Sequence, residues 1–238
     1  MNEYERKIRE EVELWEREIL KRSSLFNRLS KKAQRKINEV IPEKVHLALT
    51  EGIKNMVKAT LVGSNMITKK REDLFSLAER DEIVQQKINS YQKTAALEGA
   101  GTGAGGIFLG LADFPLLLSI KMKFLFDTAA IYGFDTNKYE ERLFILHVFQ
   151  LAFSSDEKRK EVFHIIEDWE NQKGKLVDVD WKVFQQEYRD YIDFVKMLQL
   201  VPGIGAVVGA YANYNLLEHL GKVSMNCYRI RLLKQKER

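Results

Sequence analysis

The sequence predicts an all-α fold, and three observations predict it. Apolar residues recur at spacings of three and four in one segment after another. No stretch alternates apolar and polar residues between turn signals, as a half-buried strand would. The three prolines, Pro42, Pro115 and Pro202, each stand beside an expected helix start. The 238 residues hold no Pro/Gly/Ser linker, and 45% are apolar, enough for one core. The expected architecture is a single helical domain built around two closely packed glycine-rich helices. Residues 1–29 are an N-terminal amphipathic helical extension and residues 30–238 are the domain.

Tyr4, Ile8, Val12, Trp15 and Ile19 are spaced by four, four, three and four, which is one face of a helix. Glu3–Lys7, Glu5–Arg9, Glu13–Arg17 and Glu18–Arg22 are i,i+4 pairs, each worth about 0.2–0.5 kcal/mol. The apolar stripe is narrow, so this helix is expected to dock on the main body or a partner. Ser23 and Ser24 end it. Leu25 to Ile41 reads as a strongly basic helix. Pro42 opens the next, which runs to about Val62. Leu74 to Leu97 is helical, with Leu74, Leu77, Ala78, Ile83 and Ile88 as apolar positions. Asp113 is an expected N-cap, with Pro115 in the first turn of a helix to Tyr132 and Gly133 as its left-handed C-cap. Asn137 to Phe153 is the next helix, and Asp156 caps another to about Gln172. Asn171 to Lys175, with Gly174, is an expected turn. Trp181 to Leu198 is helical. Pro202 starts a small-residue helix, which Gly221 interrupts before a last basic helix.

The most unusual stretch is Leu97 to Ile120, LEGAGTGAGGIFLGLADFPLLLSI. It holds six of the fourteen glycines, and Glu98 and Asp113 are its only charges. Gly99, Gly103, Gly106 and Gly110 are spaced by four, three and four, with Asp113 three later, so on a helix the five form one stripe. Six helical glycines cost about 3–6 kcal/mol relative to alanine. A close helix–helix contact would offset that. So would a loop over Gly99–Gly106 whose amides face an anion. Val201 to Asn213 repeats the theme, with Gly205, Gly209, Ala212, Asn213 and Leu216 on one helical face. Met197 to Leu217 is 21 residues without a charge, close to transmembrane length. Gln199, Pro202, Asn213 and Asn215 weaken it as a span, and Asp113 interrupts the first stretch. A core hairpin of the two stretches is therefore preferred to a membrane hairpin.

The net charge of +4 is unevenly spread. Lys21–Lys58 holds ten Lys and Arg against three Glu, and Lys222–Arg238 holds six against Glu237 alone. Asp135–Asp193 holds fourteen acids against nine bases. Basic ends fit an anionic leaflet, or else an acidic partner or RNA, with nucleic acid the least favoured; solvated helix faces carry such runs too. Cys227 is the single cysteine, so no internal disulfide forms, which suits a reducing cytoplasm. Met1 is followed by NEYERKIREE in place of an apolar run, so no cleaved signal peptide is expected.

His46, His147, His164 and His219 do not fall at metal-ligand spacing, and HExxH and CxxC are absent; neither metal nor cofactor is expected. No GxSxG occurs, no GK[ST] follows the glycines, and Cys227 lies in no nucleophile motif. Gly203, Gly205 and Gly209 echo a dinucleotide loop but lack the preceding strand. Asp113 reads as an N-cap held by backbone amides, or as a buried acid paired to Asn213 or a base. Asn213, if buried on the small-residue face, needs a hydrogen-bond partner.

The two small-residue stretches, with AAIYGFD (Ala129–Asp135) and YRIRLL, resemble the EcsC family, from about Ser30 to Leu233. Gly99, Gly103, Gly106, Asp113, Pro115, Gly133, Pro202, Gly205, Gly209, Asn213, Gly221 and Arg229 match the family's pattern. Ser224 stands where a smaller alanine is expected. The resemblance implies a helical bacterial protein, often encoded beside the ATPase and membrane subunits of an ABC exporter. It implies no reaction and no catalytic residue.

The first expectation is therefore a non-enzymatic accessory protein, cytoplasmic and peripheral at the inner membrane face. Its partners are ABC transporter subunits, or an anionic membrane surface met through Lys21–Lys58 and Lys222–Arg238. The alternative is an enzyme or a small-ligand or lipid binder, with Asp113, Asn213 and Arg229 converging on Gly99–Gly106. A second alternative is an integral membrane protein with a helical hairpin.

Overall fold

The computed structural model describes residues 1–21, 43–63, 66–70, 75–103, 106–154, 156–177 and 206–237. Among the described residues the fold is all-α, without a strand. The helices are α1 (Glu3–Leu20), α2 (Glu43–Val62), α3 (Leu77–Gly103), α4 (Gly106–Ile131), α5 (Tyr139–Phe153), α6 (Asp156–Glu167), α7 (Trp169–Val177) and α8 (Ala206–Glu237). The expected helices over 25–41 and 181–198, and the expected boundaries at Ser23, Ser24 and Pro202, lie outside the described residues.

The core is centred on α5. Every residue from Leu143 to Phe153 is buried, as befits a helix apolar on nearly all sides. Helices α2, α4, α6, α7 and α8 surround it. Beside it, α3 and α8 make the most extensive helix–helix contact of the fold. They run antiparallel, with Asp81 meeting Arg229 and Ile88 lying against Gly221. The buried row of α3 is Leu77, Asp81, Val84, Ile88, Gln92 and Ala95, at helical spacing. Helix α4 is antiparallel to α3, through Asp81–Tyr132, Lys87–Asp127 and Tyr91–Phe124. So α4 and α8 run in the same direction, and the Tyr132 and Tyr228 rings stack between them at 5.4 Å.

The extension folds onto the body. Asn2 Oδ1 accepts from the Glu5 amide at 2.8 Å and Glu5 Oε2 accepts from the Asn2 amide at 3.1 Å, a reciprocal cap. Ile8, Val12 and Ile19 are buried and Trp15 packs on Phe163, as the stripe predicts. Helix α4 ends as expected at Gly133, whose φ is +90°. The Phe134 amide donates to Ala129 O at 2.9 Å and the Gly133 amide to Ala130 O at 3.1 Å, the paired bonds of a left-handed helix end.

Three punctuation marks differ from expectation. Asp113 is not a helix start: α4 begins by Gly106 and continues through Pro115. Proline inside a helix loses one backbone bond, and burial of Phe114, Leu117 and Leu118 around it offsets the loss. Gly174 is no turn but lies within α7, exposed, where glycine weakens a helix by only about 1 kcal/mol. The break falls at Asp168, whose carboxylate accepts from Asn171 Nδ2 at 2.6 Å and Gln172 Nε2 at 3.2 Å. Gly221 does not interrupt the last helix; α8 runs through it. A Cβ there would stand 2.7 Å from Ile88 Cγ1 and Cδ1, so this glycine serves a close approach of α3 and α8.

Candidate functional site

Three buried carboxylates organise the polar interior. Asp81 occupies a buried position of the α3 row and accepts from Tyr4 at 2.7 Å and Tyr132 at 2.5 Å. Arg229 lies against it with Nε at 3.1 Å and Nη2 at 3.0 Å. Burial, then the Asp81 hydrogen bond and charge, push the Tyr4 phenol up to about 12. Burial works against the Arg229 cation, but Asp81 outweighs it and holds its pKa above the ordinary value.

Glu141, at the start of α5, accepts from Arg231 Nη1 at 2.8 and 3.1 Å and from Tyr228 at 2.9 Å. The Arg231 guanidinium lies 3.9 Å from the Phe134 ring and 4.1 Å from the Phe144 ring. Asp127 accepts from Thr68 at 2.7 Å and Tyr91 at 2.9 Å and pairs with Lys123 at 3.0 Å and Lys87 at 3.5 Å. Burial would raise its pKa, but these hydrogen bonds hold it below the usual carboxylate value. Each carboxylate is held by several donors, at least one of them distant in the chain, which is the chemistry of a structural pin. Sequence reasoning passed over Asp81 and Glu141. The signal was there for Asp81, which stands among Leu77, Val84 and Ile88 at helical spacing.

The expected site residues do not form one cluster. Gly99 and Gly103 lie in the last turns of α3, and Gly106, Gly110 and Asp113 in the first turns of α4. Gly99–Gly103 and Gly106 are thus helical, and residues 104–105 lie outside the described residues. Gly209 and Asn213 are in α8, while Gly205 lies outside the described residues. Arg229 does not join them. It stands sixteen residues from Asn213 along the same helix, about 24 Å away at the helical rise. Asn213 is completely buried, and among the described residues neither Oδ1 nor Nδ2 has a hydrogen-bond partner. Lys121 of α4 is also completely buried, and its amine has no hydrogen-bond partner among the described residues.

The other reactive types are structural. His147 is buried with Nδ1 2.8 Å from Leu143 O, and burial pushes it down to about 4. Cys227 is a free buried thiol whose pKa burial raises. Among the described residues no His, Cys, Asp and Glu come together as a metal site, and no helix is long and apolar enough to cross a membrane.

One end of the molecule stands apart. The α3–α4 and α3–α8 registers, carried along α3, set Leu97 level with Leu116–Leu118 and with Ala212–Asn213. Leu97, Leu116 and Tyr214 are 74%, 46% and 40% exposed. Gly52 lies against Phe114 and Leu118, while Thr68, beyond α2, bonds Asp127. Helix α2 therefore runs with α4, and Leu47, 63% exposed, belongs to the same end.

A family model described as the EcsC protein family matches residues 6–233. Protein EcsC of Bacillus subtilis (strain 168) is 56% identical over 222 residues, covering 93% of this chain and 93% of its own. Uncharacterized protein YdbA of the same organism is 25% identical over 245 residues, covering 93% of this chain and 90% of its own. No solved structure matches.

Proposed function

This chain belongs to the EcsC protein family, and on that premise we propose that it is an accessory protein without a reaction of its own, docked on the inner face of the cell membrane beside an ABC exporter. The observation that carries the docking is the apolar end. Leu97, Leu116, Tyr214 and Leu47 are exposed there together, and the stretches that carry Leu116 and Tyr214 are nearly free of charge. Scattered surface leucines need no explanation, but a group at one end favours a lipid or protein surface.

Charge bookkeeping narrows the basic contribution. In Lys222–Arg238, Lys222 pairs with Glu218, Arg229 with Asp81, Arg231 with Glu141, Lys234 with Glu167 and Lys236 with Glu5. Those cations are answered within the fold, so attraction to anionic lipid falls to Lys21–Lys58. The exposed face of α2 carries Leu47, Glu51, Lys54, Lys58 and Val62, with Lys54 paired to Glu51 at 3.5 Å. Such a face lays apolar groups into the headgroup layer while lysine ammoniums stay in water. The exporter is the partner that the family resemblance supplies.

Sedimentation of the full chain with phosphatidylglycerol vesicles tests the docking. Binding is expected at low salt and release at high salt. Leu97→Asp with Leu116→Asp is expected to weaken binding about tenfold or more with unchanged melting, since both side chains are exposed. Wild-type binding by that variant would remove the apolar end from the account.

A further inference from the structure

Lys121 and Asn213 are buried polar side chains without hydrogen-bond partners among the described residues, and the helix registers bring them to neighbouring tiers. Lys121 lies eleven residues before Tyr132, three turns along the same face of α4. Asn213 lies fifteen residues before Tyr228, on the α8 row that continues through Leu220 and Ser224. Tyr132 and Tyr228 stack on each other, and α4 and α8 run the same way. From that stack, Lys121 stands about 16 Å and Asn213 about 22 Å toward the same end of the molecule. Helical side chains lean toward their own N-terminus, and the four-carbon stem of lysine covers the remaining difference.

The surroundings are apolar, with Phe114, Leu117, Leu118, Leu125 and Leu217 buried along the same helices. Burial pushes the Lys121 amine down to about 7. A buried cation and a buried amide, both unpaired, are each costly. Beyond this tier, toward the exposed Leu97, Leu116 and Tyr214, the three helices carry Gly99, Gly103, Gly106, Gly110 and Gly209, positions that bring no side-chain volume.

We propose that Lys121 and Asn213 are the head-group site for the carboxylate of a long-chain fatty acid, whose hydrocarbon lies toward the glycine-bearing end. The ammonium of Lys121 and the Nδ2 of Asn213 donate to the carboxylate oxygens. One carboxylate matches one lysine; a phosphate monoester would bring a second charge with nothing to answer it. The site stands independently of membrane docking.

The delipidated full chain, titrated with palmitate, palmitate methyl ester and acetate, tests this by native mass spectrometry and thermal melting. The wild type is expected to hold one palmitate with a raised melting temperature, and to bind ester and acetate at least about tenfold more weakly. Lys121→Met keeps the volume and removes the unpaired amine, so it should melt at or above the unliganded wild type yet bind palmitate at least about tenfold more weakly. Asn213→Leu should also lose palmitate, and decides the matter if Lys121→Met does not fold. Failure of the wild type to bind palmitate, equal binding of the ester, or wild-type affinity in the folded variants would each overturn the proposal.

Discussion

Arg229 donates from Nε, at 3.1 Å, to the same Asp81 oxygen that lies 3.0 Å from its Nη2, tying the last helix to α3. Tyr4 and Tyr132 reach that carboxylate from α1 and from just beyond α4. Removing Arg229 leaves the buried Asp81 charge with two phenol donors and no counter-charge. Arg229→Met is expected to destabilise the fold by about 3–5 kcal/mol. Asp81→Leu with Arg229→Met should cost less than the two single changes together. Urea unfolding of the four proteins measures this, and simple additivity would contradict it.

Gly221→Ala gains about 1 kcal/mol of helix propensity but drives a methyl group into Ile88 at 2.7 Å. Overpacking costs about 1–3 kcal/mol, so the net change is destabilising. In an Ile88→Ala background the room exists, and the same glycine substitution should become stabilising by about 0.5–1 kcal/mol. The sign change in a double-mutant cycle is the readout; the same sign in both backgrounds would refute the close approach.

Lys121 titrates near 7 when folded and near the ordinary lysine value of 10.5 when unfolded. Between those values the unfolded chain holds a proton that the folded chain lacks, so this residue's contribution to stability rises with pH. Its penalty is full below about pH 7 and gone above 10.5. The stability advantage of Lys121→Met over wild type should therefore shrink from pH 7 to 9, by up to about 1.4 kcal/mol per unit. Parallel stability curves for the two proteins would count against a neutral amine in the core.

Arg231 combines a two-oxygen contact to Glu141 with stacking between Phe134 and Phe144. Lysine keeps the charge but does not stack, and it has no second nitrogen to face Glu170, which lies 3.6 Å from Arg231 Nη2. Arg231→Lys is expected to cost about 2–3 kcal/mol by denaturant unfolding. A cost under about 0.5 kcal/mol would mean that charge alone matters here.

Much of the fold was legible because apolar spacing reports buried faces. The α1 stripe of Ile8, Val12 and Ile19 is buried as read, and Gly133 closes its helix as read. Local punctuation was less faithful. Pro115, Gly174 and Gly221 signal breaks in isolation, yet tertiary packing or simple exposure lets the helix continue. Polar residues within buried rows were the harder loss. Asp81, Lys121 and Glu141 carry charges that sequence reasoning assigns to the surface, and only contacts with residues distant in the chain make them interior. Asn213 was legible as a small-face amide needing a partner; Arg229 was legible as important but not as Asp81's partner.

The central claim is peripheral docking, and fractionation of native cells tests it most directly, with a plain lysate, a high-salt wash and a carbonate wash. The account predicts protein in the membrane pellet at low salt, released by high salt because contacts of Lys21–Lys58 with lipid are screened, and fully released by carbonate. Protein soluble in the low-salt lysate would contradict docking, and protein retained after carbonate would contradict a peripheral attachment.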